Sequence, residues 1–198
     1  MDVTRDVPRS TVQLGWRSPI ATHPDQLALE VAGTILSTGQ SSRLQSHLMR
    51  RDELADGVGT FDLGLTRGNS LTVVSATARY GVDPDVLVSR LLDEVGEVAA
   101  DGPTDEEFDR VHAQLEREWF TSLATIDARA NALSEYATDY GDPTLVNLRL
   151  SQLLSVTGDD VRRAVSTWLD PAARSELIYR ADDIDDPETL FDAQEEVR

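Results

Sequence analysis

The sequence predicts an α+β domain in which helices pack on one face of a largely antiparallel sheet. Three observations lead there. Segments rich in β-branched residues alternate in polarity, longer segments carry apolar residues at helical spacing, and the two kinds do not follow one another as βαβα. The order reads strand, two helices, two strands, a helix, a long helix, two shorter helices and a strand. No internal repeat is present. Residues 1–180 are read as one domain, and residues 181–198, ADDIDDPETLFDAQEEVR without its preceding arginine, as an acidic tail expected to be flexible.

Each element has its own local reason. STVQLGWR, residues 10–17, alternates as a strand does. Pro19 and Pro24 mark a loop, and THPD offers Thr22 or Asp25 as a helix cap. Leu27, Val31 and Ile35, with Ala28, Ala32 and Leu36 beside them, line one helical face over 25–37. Gly39 breaks that pattern, and a second helix is expected from Ser41 or Ser42, with Leu44 and Leu48 on one side. VGTFDLGL and LTVVSATAR form a strand pair joined by the turn TRGNS. Pro84 opens a helix with Val88, Leu91, Leu92, Val95 and Val98 on its apolar face, ending at DGP, 101–103. Thr104 and Glu107 form a capping box for a long helix. Its apolar residues run through Phe108, Val111, Leu115, Phe120, Leu123 and Ile126, with helical pattern to about Tyr136. GDP at 141–143 ends it, and LVNLRLSQLL makes a shorter helix. Thr157 with Asp160 caps the next, which runs to Trp168, and SELIYR is the last strand.

Composition removes several functions. Acidic residues number 36 against 18 basic ones, all arginine, for a formal charge of −18. Such a field repels nucleic acid and anionic membranes, so neither is an expected partner. No apolar run is long enough to span a bilayer, and MDVTRDVPRST has no basic start followed by an apolar stretch. Cysteine is absent, which excludes disulfides and thiolate metal sites and fits a cytoplasmic location.

No catalytic constellation emerges from the residues themselves. His23, His47 and His112 stand in no HExxH or HxxEH. His112 and Glu116 share a helical face four residues apart, a spacing that acidic helices meet by chance. GxSxG, GxxxxGK[ST] and GxGxxG are missing, and no lysine exists to hold a phosphate. The acidic pairs Glu106–Glu107 and Asp159–Asp160 lie in first helical turns, where negative charge suits the helix dipole. Trp119, Phe120, Tyr136 and Tyr140 read as core or interface aromatics.

Four phrases carry more. DQLALEVAGTILSTGQSSRLQSHLMRRDELAD, GPTDEEFDRVHAQLE, SLATIDARANALSEYATDYGDP and LLSVTGDDVRRAVSTWLDP stand in the order of similar phrases in the insulinase/pitrilysin family of zinc peptidases, which includes the mitochondrial processing peptidase subunits. The chain resembles that family over residues 10–180, and within it the C-terminal, non-zinc-binding half. The resemblance implies a domain with no catalytic or metal-binding residues of its own, zinc being held by an HxxEH-bearing catalytic half. It implies packing against that half, or self-association, to enclose a peptide. A proteolytically dead structural or assembly subunit is the alternative. An independent enzyme using carboxylates around His112 is a third possibility.

Active members of the family present an arginine and, seven residues on, a tyrosine from this half to hold the substrate. Set without gaps against the family's SSRL-x-x-x-L-R and LAY, those positions fall on Met49 and Asp56. Methionine lacks the guanidinium fork, and ionised aspartate only accepts hydrogen bonds. Arg50, about 100° further round a helix, replaces the arginine only if the register slips. Arg43 and Leu44 of the same stretch read as structural.

Overall fold

The computed structural model describes residues 1–5 and 7–181. Five strands form one sheet in the order β1-β5-β2-β4-β3. They are β1 (Asp2–Arg5), β2 (Thr11–Ser18), β3 (Ala55–Asp62), β4 (Ser70–Ala78) and β5 (Ser175–Ala181). Neighbours β3–β4, β4–β2 and β2–β5 run antiparallel, as expected, and β1 joins β5 in parallel. β1 was not foreseen. It is a short polar edge segment whose only pairing lies across nearly the whole chain, Asp2 opposite Ile178.

Among the described residues there are six α-helices, α1 (Pro24–Ser37), α2 (Pro84–Asp101), α3 (Asp105–Ser122), α4 (Ile126–Asp139), α5 (Val146–Leu154) and α6 (Gly158–Trp168), and the α-helix expected from Ser41 or Ser42 is not one of them. Helices α1, α2 and α6 pack together and against the sheet, and α3 and α5 lean on α1 from outside. The period of two decides which strand residues they cover. Val12, Leu14 and Trp16 of β2 and Val74, Ala76 and Ala78 of β4 are buried against the helices. The intervening Gln13, Arg17, Leu71, Val73 and Leu177 point to the helix-free side.

The caps are mostly where local chemistry put them. Thr104 accepts from the Glu107 N–H while the Glu107 carboxylate accepts from the Thr104 N–H. Thr157 and Asp160 repeat the arrangement. Thr157→Ala will therefore cost about 1 kcal/mol, measured by urea denaturation; a change within error would show that Asp160 caps α6 alone. At α1 the expectation fails. The cap is His23, whose Nδ1 accepts from the Asp25 N–H at 3.1 Å, because Pro24 occupies the first helical position and leaves Asp25 as the first free donor.

The long helix is also two helices. It breaks after Ser122, and Thr125 caps α4 by accepting from the Ala128 N–H. Around the break the apolar pattern buries little: Phe120 near the end of α3 is 62% exposed, Ile126 at the start of α4 is 78% exposed, and α4 has no buried residue. Tyr136 and Tyr140 are half-buried and stack at 5.0 Å. Strand β5 runs through Ala181, one residue past the expected domain edge, and the acidic tail from residue 182 lies outside the described residues.

Candidate functional site

The stretch after α1 is helical but wound wide. Gln45–Arg51 is a π-helix, in which the Asp52 N–H bonds to the His47 carbonyl five residues back, at 2.9 Å. Neither Ser41 nor Ser42 caps it with a side chain; the Ser42 hydroxyl is buried without a partner among the described residues. Leu44 and Leu48 sink fully into the core and fix the segment's depth. The Leu54 N–H then bonds to the Leu48 carbonyl at 2.8 Å, which delivers the chain directly into β3.

Two part-buried polar contacts hold this segment from behind. Arg43 spans the Glu107 carboxylate with Nε at 2.7 Å and Nη2 at 2.9 Å, and donates to the Gly102 carbonyl at 3.1 Å. One guanidinium thus joins the segment to the end of α2 and the start of α3, a structural post as the sequence suggested. The second contact was missed. His47 Nδ1 lies 2.7 Å from Oε1 of Glu94, a carboxylate only 1% exposed, with Arg90 bridging Glu94 and Asp52. The sequence held a signal for it: Glu94 falls three residues after Leu91 and beside Val95, inside the buried face of α2. The hydrogen bond from Arg51, joined by one from Arg90, outweighs the opposing effect of burial and holds the pKa of the Asp52 carboxyl at about 2.

Met49 and Asp56, the positions that the resemblance sets against the family's arginine and tyrosine, lie in Gln45–Arg51 and in β3. Met49 is half-buried and packs against the core. Asp56 is exposed at an irregularity in the β3–β4 ladder between Ala55 and Gly57. Arg79 reaches both, donating to the Met49 carbonyl at 3.4 Å and lying 3.4 Å from the Asp56 carboxylate. Arg9 pairs with Asp56 at 3.3 Å and Arg79 with Glu53 at 3.1 Å. Arg50 turns away: it donates to the Gln40 carbonyl and to the Ser46 hydroxyl, back along the segment.

Histidines and carboxylates do not converge on a metal geometry. His23 caps α1, His47 is taken by Glu94, and His112 stacks on Phe108 at 4.3 Å. Among the described residues no three His, Asp or Glu side chains could hold an ion together. No described helix is long and apolar enough to cross a membrane.

A one-sided α+β sheet is the architecture of this chain, and comparison with known proteins places it among peptidase half-domains. The chain belongs to the M16 peptidase family as its inactive domain: residues 2–115 match the family described as "Peptidase M16 inactive domain". It is 28% identical over 160 residues to an uncharacterized zinc protease of Streptomyces coelicolor, covering 81% of this chain and 34% of that protein. It is 24% identical to the zinc protease PqqE of Helicobacter pylori, covering 79% of this chain and 36% of that protein. The chain thus spans about a third of the length of the curated relatives it matches. The solved inactive peptidase domain of a candidate zinc protease from Bordetella parapertussis superposes with a TM-score of 0.77 at 28% identity, covering 89% of this chain and 95% of that one. A Helicobacter pylori protease superposes with a TM-score of 0.84 at 20% identity, over 90% of this chain and 43% of that one, a likeness of fold.

Proposed function

We propose that this chain is the non-catalytic, C-terminal-type half of an M16 zinc peptidase, closing with an HxxEH-bearing half around a peptide. The observation that carries this reading is the match of residues 2–115 to the family's inactive domain, on a sheet covered by helices on one side. The helix-free face of the sheet supports it. Phe61, 58% exposed, Leu71, Val73 and Leu177 lie on that side with Gln13 and Arg17, an apolar wall with polar edges suited to an extended peptide. Zinc, the attacking water and the general base come from the catalytic half, and this chain supplies enclosure and orientation.

Reconstitution tests the proposal. The purified chain alone should carry no stoichiometric zinc and cleave no peptide. Mixed with the HxxEH half encoded beside it or fused to it, it should raise peptide cleavage well above that half alone. Zinc bound one-to-one with cleavage by the isolated chain would end the reading.

The occupation of both clamp positions by Met49 and Asp56 favours a second reading, an assembly subunit that binds proteins without supporting proteolysis. Pull-down separates the two: recovery of an HxxEH protein supports the first, and self-association without one supports the second.

A further inference from the structure

In a chain with twice as many acidic as basic residues, most guanidiniums find a carboxylate. Arg43, Arg79, Arg90, Arg163 and Arg180 each meet two or more. Arg110 and Arg117 on α3 form no ion pair among the described residues, although carboxylates are dense along that helix. Both face a cleft of about 310 Å³ between α3 and the turn that follows α1. Thr38, Gly39 and Ser41 line the opposite wall, Gln114 lies between the arginines, and among the described residues no aspartate or glutamate lines it.

The cleft is short of anions in a second sense. Arg110 Nη2 is buried and has no hydrogen-bond partner among the described residues. A charged donor left without a partner costs more than a neutral one. A chain rich in acidic residues could have relieved it with one carboxylate on the facing turn. The turn instead carries two hydroxyl residues and Gly39. Its φ of +86° favours glycine at position 39, and a Cβ there would be in ordinary contact with Gln114 Oε1 at 3.5 Å. Gln114 itself is turned along the helix, donating to Glu118 at 2.9 Å, which leaves the arginines as the cleft's charged donors.

We propose that this cleft binds a compact oxoanion, a carboxylate or phosphate group, between Arg110 and Arg117. The two residues lie seven apart on one face of α3, about 10.5 Å along the axis, so their forks approach from opposite ends. That separation suits two negative charges, on one dianion or on the ends of a short dicarboxylate, with the Thr38 and Ser41 hydroxyls free to donate from the facing wall. The volume is at the small end of ligand sites and excludes a large headgroup. The site lies in the outer helical layer, so it stands independently of any role the chain plays around a peptide.

Isothermal titration with inorganic phosphate and with succinate, at ionic strength held constant with chloride, tests the site on the full chain. One of them should bind saturably at one per chain and raise Tm. Arg110→Gln and Arg117→Gln should each weaken binding about tenfold or more, because each removes charge-assisted bonds. Arg67→Gln, away from the cleft, should not. Circular dichroism and the unliganded Tm of the variants confirm that they fold. Tighter phosphate points to a phosphorylated ligand and tighter succinate to a carboxylate one, either of which supports the site. Absence of saturable binding by both anions, or binding that survives the double variant, overturns it.

Discussion

Arg43→Met will lower the stability of this chain by about 3 kcal/mol at neutral pH, the range found when one member of a buried pair is removed. Arg43 is 9% exposed and makes two hydrogen bonds to Glu107 and one to the Gly102 carbonyl. Methionine keeps much of the volume but removes the charged donor from a part-buried carboxylate, which keeps only its Thr104 bonds, and takes a donor from the Gly102 carbonyl. The pair also predicts a pH dependence. Burial pushes Glu107 up, but the Arg43 hydrogen bond, the Thr104 backbone N–H and the guanidinium charge outweigh it and hold the carboxyl at about 2. A depressed folded pKa means stability that is complete above the ordinary glutamate value of 4.5 and lost as pH falls toward 2. The gap between wild type and Arg43→Met should therefore be widest near pH 7 and shrink between about pH 4.5 and 2. Urea denaturation across that range reads it directly. A gap under about 1 kcal/mol at pH 7, the level of an exposed pair, would show that the contact is not the post described.

Trp16→Ala will cost more, about 3–5 kcal/mol, and lower Tm by roughly 6–20 °C for a chain of this size. Trp16 sits in β2 at the centre of the sheet, 1% exposed, with Thr72 of β4 beside it. Its Nε1 donates to the Asp170 carbonyl at 2.9 Å, tying the sheet to the turn after α6. Alanine removes the ring and that bond together. Trp16→Phe separates them, keeping an aromatic while losing the donor, and should cost about 1–2 kcal/mol. If the two variants were equally destabilised, the hydrogen bond rather than the packing would be the main contribution.

The same contrast between local and distant effects explains what could be read in advance. The capping boxes at Thr104 and Thr157 were legible because donor and acceptor lie three residues apart. The strands β2 and β4 were legible because each alternates by itself. The positions Met49 and Asp56 were legible through the resemblance of their flanking phrases to a known family. Their shared contact with Arg79 was not, since Arg79 arrives from the end of a different strand. Phe120 and Ile126 show the limit of periodicity: a repeat of apolar residues marks a helix face but not whether anything packs on it.

By itself the sequence determined the kinds and order of the elements, their main caps, and the absence of an HxxEH motif, because these depend on side chains within a few residues of one another. Only the tertiary structure decided that β1 pairs with β5, that Gln45–Arg51 winds wide, that Glu94 is buried on His47, and that Arg110 and Arg117 share a cleft without a carboxylate. Each of those depends on which distant surfaces meet, and burial and charge pairing across such distances leave no periodic trace in the chain.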